Sequence, residues 1–173
     1  MRNFRPLSPI VFSPTADVVP VYAADVEELC GVAKGAAQKK SRILLHGTLQ
    51  AHMHEMIIVH SSGQYIQPHI NDNAAKSFTV LQGEMMVALF DVDGAISAHH
   101  HLGNFSGDQP FMLRLEKPVF HTVLATTPTV AFIETTLGPH SETRYAEFAP
   151  AADGGERATK YFHWLTTELG ATI

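Results

Sequence analysis

Eleven histidines stand against one cysteine in a chain of 173 residues. Neutral imidazole exchanges protons near neutral pH and is the commonest metal ligand, so the chemistry is sought there first. The lone Cys30 can form no disulfide within the chain and excludes a cysteine-rich zinc ribbon. Five histidines lie between positions 46 and 69, three form the run His99-His100-His101, and His121, His140 and His163 stand apart. His52 and His54 have the i, i+2 spacing that aligns two imidazoles on a strand. They precede the strand, however, and Glu55 faces the other way, so surface positions are expected. Of His99-His100-His101 only the outer two could share a ligand, and a solvated turn is expected. His46, His60, His140 and His163 are isolated and are read as structural. His69 and His121 remain.

The elements that must position them are mostly strands. Short runs rich in β-branched and aromatic residues, bounded by Gly, Pro, Asn or Asp, fall at 42–45, 53–60, 65–69, 76–81, 84–91, 95–99, 111–115, 120–125 and 130–136. Strands at this density imply a sandwich or barrel. Asp93-Gly94 between two runs predicts a hairpin through a type I′ turn. Residues up to about 20 form an extended arm, since Pro6, Pro9 and Pro14 disfavour helix. Val26, Leu29, Ala33 and Ala36 recur at helical spacing, with acids early and Lys39 and Lys40 late, which predicts a helix over 23–40. After a loop at 149–155, Ala158, Phe162, Leu165 and Leu169 share one helical face that Gly170 ends. The expected organisation is one domain: arm and helix over 1–40, barrel over 41–150, and a last helix over 151–173.

Composition sets outer limits. A hydrophobic content of 45% supports a core, and 17% charged residues are too few for a disordered chain. Lys plus Arg number 12 and Asp plus Glu 17, a net charge of -5 with no basic stripe, which argues against a nucleic-acid partner. No apolar run approaches the roughly 20 residues of a membrane helix. The proline-broken start does not resemble a signal peptide, so no membrane partner and a cytoplasmic location are expected.

Around His69 the residues resemble the cupin superfamily. Cupins share a first motif of glycine, His-x-His, glutamate and glycine. Here the outer glycines match Gly63 and Gly83, and the first histidine matches His69. Pro118-Val119-Phe120-His121 is similar to the second cupin motif. The series is similar to the WbuC-type cupin metalloproteins in particular. It runs through His54-Glu55-Met56, Tyr65-Ile66-Gln67-Pro68-His69, Lys76-Ser77-Phe78, Leu89-Phe90-Asp91, Arg114, His121-Thr122, Glu134-Thr135-Thr136 and Phe148-Ala149-Pro150. The resemblance implies an all-β, single jelly-roll β-barrel with an N-terminal and a C-terminal helix. It also implies a divalent metal (zinc, iron, nickel or manganese), a homodimer, and a setting in carbohydrate or surface-polysaccharide metabolism.

Two positions depart from that pattern. Asn71 stands where the second histidine belongs, and Lys76 stands where the glutamate belongs. An amide oxygen is a weaker ligand for a transition metal than imidazole. A protonated lysine has no lone pair to give, and at about 4 Å in a dielectric near 20 it opposes each unit of positive charge by about 4 kcal/mol. The metal site should therefore be weak or absent.

Two arrangements follow. Glu134 or Glu55 pairs with Lys76 and leaves His69, His121 and Asn71 as a weak metal site. Alternatively, Lys76, His69 and His121 form a metal-free pocket for an anionic or sugar-like molecule, with Arg114, Glu134 and Tyr65 as further ligand contacts. A third placement turns Lys76 outward after a slip in the irregular spacer Asp72-Asn73-Ala74-Ala75. Function then divides between a small-molecule-binding protein and a metal-independent sugar isomerase or epimerase. In the latter, His69 and His121 serve as acid and base and Lys76 stabilises the developing anion. Whether the chain is an enzyme stays open at this point.

Overall fold

The computed structural model describes residues 1–72, 75–139 and 142–171; His140 and part of the spacer before Lys76 lie outside them. Twelve strands make two sheets. In chain order they are β1 (Phe4–Ser8), β2 (Val11–Pro14), β3 (Lys40–Leu44), β4 (Met53–Ser61), β5 (His69–Ile70), β6 (Lys76–Gln82), β7 (Met85–Phe90), β8 (Ile96–Leu102), β9 (Met112–Leu115), β10 (Phe120–Ala125), β11 (Thr129–Leu137) and β12 (Arg144–Tyr145). The seven-stranded sheet has the order β1-β2-β3-β4-β11-β6-β9, and the five-stranded sheet β12-β5-β10-β7-β8.

Each sheet is covered on its outer face by one helix. The helix α1 (Ala23–Gly35) starts where the Asp25 carboxylate accepts the Tyr22 backbone N–H at 2.9 Å. Its buried face of Val26, Leu29, Cys30 and Ala33 packs on Ile43, Ile57, Val59 and Ala131. Because side chains alternate along a strand, the residues between these anchors lie on the opposite face: Ile58, His60 and Phe132 turn inward, and Arg42 on that face is exposed. The helix stops short of the predicted residue 40 because Lys39 takes a left-handed φ of 49° and Lys40 already belongs to β3. On the other sheet, α2 (Glu156–Glu168) and the residue after it bury Leu165 and Leu169 against Met86, Ala88, Phe90 and Leu124.

Between the sheets, Phe78, Val80, Met85, Val87, Leu102, Leu115, Val123, Val130 and Phe132 form an apolar core. Full burial of each such large side chain contributes about 1.5–3 kcal/mol. This core fills one part of the interior and leaves the remainder to polar side chains.

Two local expectations are corrected. The proline-bearing arm is a hairpin, β1 with β2, and β2 adds parallel to β3 at Val11 opposite Arg42. The β7–β8 hairpin forms, but not through a type I′ turn: Gly94 has φ 91°, whereas Asp93 is not left-handed. The Asp91 carboxylate instead accepts the backbone N–H groups of Asp93 and Ala95, holding the turn from the side.

Candidate functional site

The two histidines singled out from the sequence meet. His69 on β5 stands directly opposite His121 on β10, and their ring centroids are 4.7 Å apart. Each ring is fixed in the same manner, through a carbonyl two residues back. His69 Nδ1–H donates to Gln67 O at 3.0 Å, and His121 Nδ1–H donates to Val119 O at 2.9 Å. A carbonyl can only accept, so the ring proton sits on Nδ1 and each Nε2 keeps its lone pair. Burial, and after it the Lys76 charge, hold both imidazoles below the usual histidine range. Both are neutral bases.

Lys76 enters the same space from β6 and is 4% exposed. Its ammonium lies 3.1 Å from Glu134 Oε1, donates to Asn71 Oδ1 at 3.1 Å, and reaches His121 Nε2 at 3.4 Å. An ammonium has three N–H groups, and three acceptors surround this one. Asn71 is oriented in turn by donating from Nδ2 to Thr143 Oγ1 at 3.2 Å. Glu134 reaches the lysine because Thr136 stands opposite Lys76 on the neighbouring strand, and residues 134 and 136 share a face.

A cavity of about 440 Å³ extends from this cluster. Leu44, Met56, Ile58, Phe78 and Phe132 form apolar wall, and a second polar group, with Arg42 exposed, lines the same cavity. There Lys40 stands opposite His60, with Arg42 two residues along β3. Burial, with a contribution from Arg42, lowers the Lys40 pKa. Burial, then Lys40, Arg42 and His69, push His60 down to about 3. His60 is 8% exposed, its ring meets Phe132 edge-on at 5.4 Å, and its buried Nδ1 has no hydrogen-bond partner.

Several residues are placed differently from the sequence expectations. Arg114 lies outside the cavity: Leu113 and Leu115 point inward, so it points out and pairs with Glu116 at 2.8 Å. Tyr65 also lies outside it, donating its hydroxyl to Pro150 O at 2.8 Å beside Tyr161 and Phe162. His54 is not on the surface; it is buried in β4, lines the cavity and stacks on His46 at 4.0 Å. The run His99-His100-His101 lies within β8 rather than in a turn, and His101 pairs with Glu84 at 2.9 Å. The sequence does not mark Lys40, Arg42 and His60 as cavity residues: alternation along β3 and β4 is the available signal, and the predicted strand 42–45 begins after Lys40. Among the described residues, no group of three or more His, Cys, Asp or Glu side chains is arranged to hold a metal.

Residues 21–102 match a family model described only as a domain of unknown function, DUF6016. No curated protein matches the sequence significantly. Among solved structures, oxalate oxidase in complex with the substrate analogue glycolate is similar with a TM-score of 0.52 and 11% identity, covering 80% of this chain and 69% of that one. Procruciferin, the 11S globulin of Brassica napus, has a TM-score of 0.51 and 16% identity over 64% of this chain, which spans only 28% of procruciferin. An uncharacterized conserved protein with a double-stranded β-helix domain, from Klebsiella pneumoniae subsp. pneumoniae MGH 78578, has a TM-score of 0.48 and 17% identity over 62% of this chain and 80% of that one. The two-sheet arrangement is thus a fold shared with oxalate oxidase and procruciferin.

Proposed function

We propose that this cupin-like protein binds a small organic anion in its cavity and does so without a resident metal, Lys76 serving as the internal cation. The observation that carries this reading is the set of acceptors around the Lys76 ammonium: Glu134, Asn71 and His121. These are the groups a divalent ion would need, and a positive charge already occupies their midst. A metal beside it would meet repulsion of about 4 kcal/mol per unit charge at about 4 Å and an effective dielectric near 20. The donor set therefore does not fit the metal that the WbuC-type resemblance implies. The link to carbohydrate or surface-polysaccharide chemistry rests on that sequence resemblance.

A second reading, proton transfer on the bound molecule, is favoured by one feature. His69 and His121 are neutral, and the Lys76 N–H that reaches His121 Nε2 at 3.4 Å can turn from it to steady a developing negative charge, freeing that lone pair. In this isomerase or epimerase reading the histidines accept and return the proton. Metal analysis of protein purified without a histidine tag, followed by calorimetric titration with zinc, manganese, nickel and iron(II), tests the metal-free site. Substoichiometric metal and no saturable uptake are expected; one equivalent of bound metal overturns the reading.

A further inference from the structure

We propose that Lys40, Arg42 and His60 form the headgroup subsite of the cavity and hold the carboxylate of a ligand whose body is apolar. This rests on the metal-free anion-binding reading above and names the class of molecule it would take. Three independent observations converge. First, the half-buried Lys40 and the exposed Arg42 line the cavity from one strand, and no carboxylate among the described residues pairs with either. The acid on the cavity wall is Glu134, and Lys76 already engages it. Uncompensated positive charge facing a cavity favours an anion, and the guanidinium fork suits a carboxylate.

Second, His60 is more than nine-tenths buried and lines the same cavity, and its Nδ1, itself out of solvent contact, has no partner among the described residues. Buried polar atoms in folded proteins are nearly always satisfied, so an orphan on a cavity wall marks where a ligand atom belongs.

Third, the walls between the two polar groups are apolar. Arg42 stands opposite Ile58, which stands opposite Phe132; Lys76 stands opposite Thr136, four residues further along β11. The Lys76 ammonium reaches back to Glu134, two residues from Phe132, so about 7 Å of strand separates the two groups, with Met56, Ile58, Phe78 and Phe132 on the wall. A short hydrocarbon body suits the apolar side chains there. The ligand is then a small organic acid, its carboxylate at Lys40, Arg42 and His60 and its other end reaching His69, His121 and Lys76.

Calorimetric titration of the full chain with hexanoate, its neutral isostere hexanamide, and inorganic phosphate tests this. Hexanoate should bind, and hexanamide should bind roughly tenfold or more weakly. Phosphate, which lacks the apolar body, should also bind more weakly than hexanoate. Arg42→Met should weaken hexanoate roughly 10- to 100-fold and leave hexanamide unchanged. Equal affinity for acid and amide, phosphate binding as tightly as hexanoate, or no hexanoate binding at roughly 10 mM overturns the proposal. These arms use the native protein and stand even if the variant misfolds. Metal analysis of the same preparation keeps the two readings separable. A metal-free protein that fails the hexanoate arms loses only the headgroup subsite. A stoichiometric metal removes the metal-free reading, whatever hexanoate does.

Discussion

Lys76 and Glu134 form a buried ion pair across two adjacent antiparallel strands, Nζ to Oε1 at 3.1 Å, and no backbone pairing dictates it. Glu134 stands opposite Phe78, two residues on from Lys76, so the contact is diagonal and made by the long lysine stem. Removing one partner leaves the other charge uncompensated in a poorly solvated space. Lys76→Met alone should therefore cost about 3–5 kcal/mol of folding stability, and Lys76→Met with Glu134→Leu together much less. Urea denaturation of the two single variants and the double one measures the coupling. Additive losses would show that the pair is not energetically linked.

Restoring the cupin-type donors should reverse the electrostatics. In Asn71→His with Lys76→Glu, the cation disappears, and an imidazole and a carboxylate join His69 and His121. Calorimetry should then record divalent-metal binding, with zinc and nickel favoured by the three imidazoles. Unchanged metal affinity would contradict the inward placement of positions 71 and 76.

His60 should contribute to acid sensitivity alongside His69 and His121. The His60 pKa is about 3 in the folded protein against 6.5 in the unfolded chain. The folded state thus binds fewer protons than the unfolded state between those values. The associated stability is fully present above about 6.5 and is lost as the pH falls toward about 3. At about 1.4 kcal/mol per pH unit the limiting loss is about 5 kcal/mol. His60→Leu, which also removes an unpartnered nitrogen, should match the native protein near pH 7 and lose less stability by pH 4. Chemical denaturation across that range measures it, and parallel curves for the two proteins would refute the assignment.

The strands with a continuous run of β-branched, aromatic and other apolar residues are legible. The predicted 120–125 is β10 itself, and 53–60 differs from β4 by one residue. The predicted 65–69 shrinks to His69–Ile70, because the residues before it are held by non-local contacts. Gln67 donates to the carbonyls of Ala146 and Ala149, and Thr122 donates to Ile66 O. The two-residue β12 offers no periodicity to read. At the site, His69 and His121 could be reached through short motifs. His60 could not, because its burial depends on Lys40 arriving opposite it from a strand some twenty residues earlier. Arg114 was a different failure: the alternation of Leu113 and Leu115 already placed it outside. The Lys76–Glu134 contact joins positions 58 residues apart and becomes visible only once β6 and β11 are side by side.

The protonation of His121 ties these observations to the proposed chemistry. Its Nδ1–H is committed to Val119 O, and its Nε2 faces the Lys76 ammonium at 3.4 Å. Burial is the larger cause of its depressed pKa, and the lysine charge comes next. Lys76→Met removes the second cause, leaves burial and His69 in place and frees the Glu134 carboxylate, so the His121 pKa should rise. Ring nitrogen shifts followed by NMR against pH report both the tautomer and the titration. The native protein should show His121 neutral with the proton on Nδ1 at pH 6, and the variant should titrate at a higher pH. An unchanged titration in the variant, or a proton on Nε2 in the native protein, would mean that the lysine does not act on this imidazole. Proton transfer assisted by Lys76 would then lose its base.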